Sequence, residues 1–196
     1  RIDRPYLLAV ERLEESQKDL TTLLEAYALL RKTFHREEWL YIIGKGSSEE
    51  ELKQKARALG IADRTVFLGF CANPYPWMLR SRLLVHSAKF EGLPTVLIEG
   101  LLLDKLMVAT DCPTGPREIL DDGRAGLLVP VGDAAAFARA TDRLLNDTQL
   151  QADILQGVRD RAADFTFQAV DCKLRELMGV RLSTDGNGLS STTFNR

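Results

Sequence analysis

Six short apolar runs recur along this chain, at residues 6–10, 39–43, 65–68, 83–86, 107–109 and 126–129. Between them lie segments with helical spacing of their apolar residues, at 20–33, 49–59, 77–80, 94–103 and 116–120, and three more follow the last run at 134–145, 149–164 and 167–177. This alternation constrains the fold more than any other feature. Short strands alternating with helices build βαβ units, and these assemble into a parallel sheet with helices on both faces. Crossovers in such a sheet are right-handed. The pattern therefore predicts an α/β, doubly wound, Rossmann-like parallel sheet of about six strands, with two or three helices at its C-terminal end. Ligands of open α/β sheets bind in the crevice beyond the carboxyl ends of the strands. The loops to inspect are therefore 11–19, 44–48, 69–76, 87–93, 110–115 and 130–133.

Composition enters where it excludes functions. The chain has 196 residues, 45% of them hydrophobic and 28% charged, a balance that excludes disorder for its bulk. Its net charge of -2 gives neither the basic field that holds nucleic acid nor a polybasic block for anionic lipid. Cys71, Cys112 and Cys172 are scattered and form no C-x-x-C pair, and His35 and His86 are the two histidines, so neither a disulfide framework nor a metal site is expected. The most apolar stretch, 94–110, is interrupted by Glu99, Asp104 and Lys105 and is too short and too charged to span a bilayer. No signal-peptide pattern opens the chain, and a cytoplasmic location is expected. The chain reaches its first apolar run by Tyr6 without an initiator Met, which reads as a piece excised from a longer protein. From Arg181 the composition turns to Ser, Thr, Asn and Gly. The expected organisation is one folded domain over 1–180 and a disordered tail over 181–196.

The segment Lys89-Phe90-Glu91-Gly92-Leu93-Pro94-Thr95-Val96-Leu97-Ile98-Glu99 is the most informative. A strand ends before it, Gly92 allows a tight loop, and Pro94 suits the first position of a helix. The free N–H groups at such a helix start attract phosphate. Glu99 stands in that helix among Val96, Leu97, Ile98, Leu101, Leu102 and Leu103, apolar on nearly every face, which predicts a buried helix and a carboxylate in need of a partner. Sugar hydroxyls could serve it, or a nearby Lys or Arg; Glu91 could equally be a surface acid. Phe70, in the loop after the third strand, could pack in the core. Gly44-Lys45-Gly46 reads as a tight turn rather than a phosphate contact. His86 reads as a structural histidine and His35 as a surface one, and Cys112 lacks a neighbouring His that would make it a nucleophile.

The stretches EGLPTVLIE, VATDCPTGPREIL and DDGRAGLLVPVGD, in that order, resemble the C-terminal, nucleotide-sugar-binding domain of glycosyltransferase family 4, whose GT-B architecture faces two doubly wound domains. Family-like motifs run from Leu8 to about Leu145, closest in flavour to bacterial lipopolysaccharide, capsule and exopolysaccharide transferases. The family's Glu-x7-Glu motif falls on Glu91 and Glu99. The resemblance implies that Glu91 faces the transferred sugar as the catalytic acid, and that Glu99 accepts hydrogen bonds from the ribose. It implies that Gly92, Leu93, Pro94 and Thr95 cradle sugar and diphosphate, that Arg12 and Lys18 hold the diphosphate, and that Phe70 lies near the base. Three positions depart from the pattern: Glu11 stands where the family usually has Gly, and Asp104 and Leu106 replace a Gly and a Pro after the Glu99 helix. The spacing from Arg12 to Lys18 is also one residue longer than is common.

What the resemblance implies is the donor-binding domain of a retaining, metal-independent glycosyltransferase without a cofactor, using a nucleotide sugar, UDP-linked by expectation. A glycan or lipid-linked acceptor, and any peripheral membrane contact, would belong to an N-terminal domain that this chain lacks, leaving the piece inactive alone. Three rival readings stand beside it. One is a nucleotide-sugar epimerase on the same architecture, and another is a non-catalytic nucleotide-binding or interaction module. The third, a dinucleotide oxidoreductase, is disfavoured because no G-x-G-x-x-G opens a helix.

Overall fold

The computed structural model describes residues 4–178. The strands are β1 (Tyr6–Val10), β2 (Trp39–Ile43), β3 (Thr65–Gly69), β4 (Leu83–His86), β5 (Met107–Thr110) and β6 (Leu127–Val129). The helices are α1 (Glu15–Lys18), α2 (Leu20–Lys32), α3 (Glu49–Ala58), α4 (Tyr75–Arg80), α5 (Thr95–Leu102), α6 (Pro116–Ile119), α7 (Ala134–Asn146), α8 (Thr148–Ala162) and α9 (Phe167–Leu177). Every strand pairing is parallel, and the sheet order is β3-β2-β1-β4-β5-β6. This is the doubly wound order, in which the chain reverses direction between β1 and β4 and opens its crevice there. The tail expected over 181–196 lies outside the described residues.

The central strands are apolar on both faces because helices cover both. Tyr6, Leu7, Leu8 and Ala9 of β1 are all buried, as are Leu83, Leu84 and Val85 of β4. α2 packs on α3 and α7, and α5 on α8. Right-handed crossovers leaving the centre in opposite directions put these two groups on opposite faces. Tyr6 and Tyr27 bury their rings and still satisfy their hydroxyls: Tyr6 Oη donates to the Trp77 carbonyl at 2.7 Å and Tyr27 Oη to the Glu38 carbonyl at 2.8 Å. Asp133 and Asp147 cap the C-terminal helices α7 and α8, accepting from the Ala136 and Leu150 amides at 2.7 and 3.0 Å. Each such cap typically contributes about 1 kcal/mol.

Two expectations are corrected. The apolar helix is not buried all round: α5 inserts Leu97, Gly100 and Leu101 but leaves Leu102 and Thr95 exposed and Glu99 half-buried. Its tight seat on the sheet comes from Gly100, where a Cβ would meet Met107 Sδ at 2.5 Å and Leu84 Cδ1 at 2.9 Å. Pro94 also stands one position ahead of the helix, which begins at Thr95. The short helix α1 had no sequence signal, since one turn is too brief to show a period. It ends at Asp19, whose φ of 49° turns the chain into α2, and it places Lys18 at the crevice.

Candidate functional site

The site forms at the switch point, where the loops after β1 and β4 lie side by side. Its floor is shaped by a close approach of backbone. Glu11 N–H donates to the Ile43 carbonyl at 3.0 Å and Leu13 N–H to the Lys45 carbonyl at 3.1 Å. A Cβ on Gly44 or Gly46 would collide with the carbonyls of Glu11 and Leu13. Those two glycines therefore exist to let the β2 loop lie on the β1 loop, which is the tight-turn role expected of them.

The Glu91 loop is anchored from both sides. The Glu91 amide donates to the Pro113 carbonyl at 2.9 Å, and the Thr114 amide and hydroxyl both reach the Glu91 carbonyl at 3.0 Å. From α1, Ser87 Oγ donates to the Lys18 carbonyl at 2.9 Å, and the Lys89 amide to the Gln17 carbonyl at 2.7 Å. Gly115, at φ 93°, packs against Pro94, where a Cβ would sit 2.6 Å from the ring. The two family-like loops thus form one surface.

Within this frame four ionisable side chains form a buried cluster. Lys18 Nζ is ion-paired to Oε1 of Glu91, their side chains 12% and 6% exposed. His86 lies between Glu91 and Glu11, with Nε2 3.1 Å from Glu91 Oε1 and Nδ1 3.3 Å from Glu11 Oε2. Burial by itself would pull the imidazole's pKa down, but the two carboxylates outweigh it and hold it at about 9. Burial likewise raises the Glu91 carboxyl, and His86 and Lys18 together reverse that to a net lowering. Sequence reasoning set Glu91 and Lys18 apart, as a sugar-facing acid and a diphosphate clamp; the structure pairs them directly. It also brings in Glu11 and His86, which were not chosen as site residues. The available signal was an acid and a histidine ending two apolar strands that neighbour each other only if the sheet reverses between them.

Glu99 lies in a different setting. Burial pushes its pKa up, and among the described residues it has no ion-pair partner, so the Lys or Arg considered for it is not there. The first turn of α5 has no side-chain cap; Gly92, Leu93 and Thr95 are exposed and Pro94 is buried. Arg12 is exposed and lines a cavity of about 360 Å³ with Val10, Ile43, Lys45 and Phe70. Phe70 is 71% exposed, which removes the core-packing alternative for it. A larger cavity, about 740 Å³, is lined by Asp111, Cys112, Thr114 and Arg117. No group of three or more metal-ligating side chains occurs among the described residues. No helix among them is long and apolar enough to cross a membrane.

Open doubly wound sheets take their ligands at this switch point, and an uncapped helix start there suits an anion. Comparison with known proteins narrows the class. Residues 1–161 match the family model for glycosyl transferases group 1, and the chain belongs to that family. It is 31% identical over 160 residues to N-acetylgalactosamine-N,N'-diacetylbacillosaminyl-diphospho-undecaprenol 4-alpha-N-acetylgalactosaminyltransferase of Campylobacter jejuni, covering 82% of this chain and 42% of that protein. It is 32% identical over 174 residues to lipopolysaccharide 1,6-galactosyltransferase of Salmonella typhimurium, covering 84% and 47%. Among solved structures, the lipopolysaccharide outer core galactosyltransferase WaaB in its apo form superposes with a TM-score of 0.75 at 26% identity, covering 91% of this chain and 50% of that one. Anabaena HepE, crystallised with UDP and glucose, superposes at 0.79 and 24%, covering 90% and 48%. The chain spans about half the length of these relatives. The expected fold class, a doubly wound parallel sheet of the GT-B type, is borne out.

Proposed function

We propose that this chain is the donor-binding domain of a retaining, metal-independent glycosyltransferase that moves a hexose from a UDP-linked sugar to a growing bacterial surface glycan. The observation that carries the reading is the half-buried Glu99 carboxylate, which among the described residues has no ion-pair partner and stands one turn inside the uncapped start of the helix that follows the Glu91 loop. A pair of ribose hydroxyls would satisfy that carboxylate, the free amides at Thr95 would take the diphosphate, and the exposed Phe70 ring would lie against the base. Arg12 and Lys18 would offset the negative charge that builds on the leaving diphosphate as the sugar bond breaks. Charge-assisted contacts of this kind contribute about 1.5–3 kcal/mol each. Glu91, cradled with Gly92, Leu93 and Pro94, would orient the hexose. The acceptor, glycan or lipid-linked, would be held by a further domain at the inner face of the cytoplasmic membrane, and this piece alone would bind donor without transferring it.

Calorimetry with UDP, EDTA present, and NAD as the comparison tests the reading. Metal-free UDP binding that exceeds NAD binding is expected. Absence of UDP binding, or binding only with added magnesium, would overturn it.

A further inference from the structure

His86 ends β4 with its side chain 3% exposed, between two carboxylates. A neutral imidazole carries one N–H, so one of its nitrogens is bare. That bare nitrogen would face a carboxylate lone pair here, at 3.1 or 3.3 Å, whichever tautomer formed. The geometry therefore calls for a proton on both nitrogens. The groups that face the ring or its partners are Glu11 from the loop after β1, Glu91 from the loop before α5, Lys18 from α1 and Cys112 from the loop after β5. With His86 as an imidazolium the four charged groups sum to zero; with it neutral, a carboxylate stays buried and unbalanced.

The contacts of His86 are short but poorly directed. Both oxygens of Glu11, and Nε2 of His86, are buried without a well-formed hydrogen bond. Charge rather than directional bonding holds this end of the cluster, so Glu91 can re-aim without breaking it. Lys18 is the other cation on Glu91, on the same oxygen. Were Lys18 its sole partner, turning that ammonium toward a diphosphate would strip a buried carboxylate of its cation, which is strongly unfavourable.

On the donor-site reading above, we propose that Glu11 and His86 are positioning residues: His86, held by Glu11, keeps a cation on Glu91 while the Lys18 ammonium turns to the diphosphate of the incoming nucleotide. Glu11 then stands where the family usually has Gly because it is half of a pair whose other half is His86. The two residues do not touch substrate; they set whether Lys18 is free to do so.

The test uses UDP affinity in the full chain, with thermal melts to confirm folding. Glu11→Gln with His86→Gln keeps both shapes and removes both charges, leaving Lys18 as the cation on Glu91. UDP affinity is expected to fall at least about tenfold, the equivalent of about 1.4 kcal/mol. Adding Glu91→Gln frees Lys18 and should restore affinity to within about threefold of the parent. A merely structural role would show no such rescue. Unchanged UDP affinity in the folded double variant, or no recovery in the triple one, overturns the proposal. Lys18→Met separates the two readings: if it weakens UDP while the double variant does not, the donor site stands and the positioning role falls; if it too has no effect, the diphosphate role of Lys18 falls. Nitrogen-15 NMR gives an independent readout. At pH 8 both ring nitrogens of His86 should be protonated, with a histidine-containing peptide as the reference. A neutral His86 at that pH overturns the proposal.

Discussion

The two ends of the segment from Glu91 to Glu99 carry the same side chain into opposite environments. At the first end the carboxylate is nearly sealed, between Lys18 and His86, and its pKa is lowered. At the second the carboxylate is half-buried, with no cation paired to it among the described residues, and its pKa is raised. The first glutamate is already satisfied by protein; the second is held in a state that improves when something donates hydrogen bonds to it. Burial alone therefore does not mark a ligand site. What marks it is burial without a partner, and in this crevice that description fits Glu99 far better than Glu91.

The sharpest way to break the comparison is to remove the cation between Glu11 and Glu91. His86→Ala leaves Glu11 buried and uncompensated, and stability should drop by about 3–5 kcal/mol, read from urea unfolding; a change under 1 kcal/mol would mean the cluster is not coupled. Next in size is the pH dependence. His86 has its folded pKa raised from 6.5 to about 9, so its contribution is complete below about 6.5 and is lost as pH rises through about 9. At 1.36 kcal/mol per unit that amounts to about 3 kcal/mol, and it should vanish in His86→Gln. The two glutamates should differ in sign on the acid side. Glu91, lowered, stabilises above its ordinary 4.5 and loses that as pH falls; Glu99, raised, is a contribution present at low pH and lost as pH rises through its folded value. Unfolding of Glu91→Gln and Glu99→Gln across this range checks both.

Smaller still is the effect of Glu99→Ala on nucleotide binding, a loss of about 1.5–3 kcal/mol if it accepts from ribose. Equal affinity of the unaltered chain for UDP and its 2′-deoxy analogue would remove that role. The smallest effect sharpens the contrast most: Glu91→Gln should leave UDP affinity within about 0.5 kcal/mol, although it touches the more deeply buried acid. A large loss there, with folding intact, would exchange the assignments of the two glutamates.

Much of the molecule was legible in the chain. β1, β2 and β4 fall where the apolar runs place them, and the longer helices deviate at their ends by one or two residues. A strand covered on both faces writes an unbroken apolar run, and a helix of three turns repeats its period often enough to be seen. α1 was not legible because a single turn has no period, and its role depends on where it lies: Ser87 and Lys89 tie it to the β4 loop. The surface position of α5 was not legible either. Eight mostly apolar residues look buried, but only the side carrying Leu97, Gly100 and Leu101 is buried, and Leu102 at the C-terminal end of the helix is left half exposed.

The candidate site divides in the same way. Local sequence determined that a Pro-containing loop would open a helix toward the strand ends, that acids would stand on either side of that start, and that Arg12 and Lys18 would follow the first strand. These are consequences of short-range geometry, which neighbouring residues set. The sheet order alone decided that Glu11, just past β1, and His86, the last residue of β4, 75 residues apart in the chain, would stand at the ends of adjacent strands. Tertiary structure also decided that Lys18 would meet Glu91 and that Glu99 would meet no cation among the described residues. Ionic state belongs to that level, because a carboxylate's pKa depends on charges and solvent within a few ångströms, and in this fold nearly all of those come from distant parts of the chain.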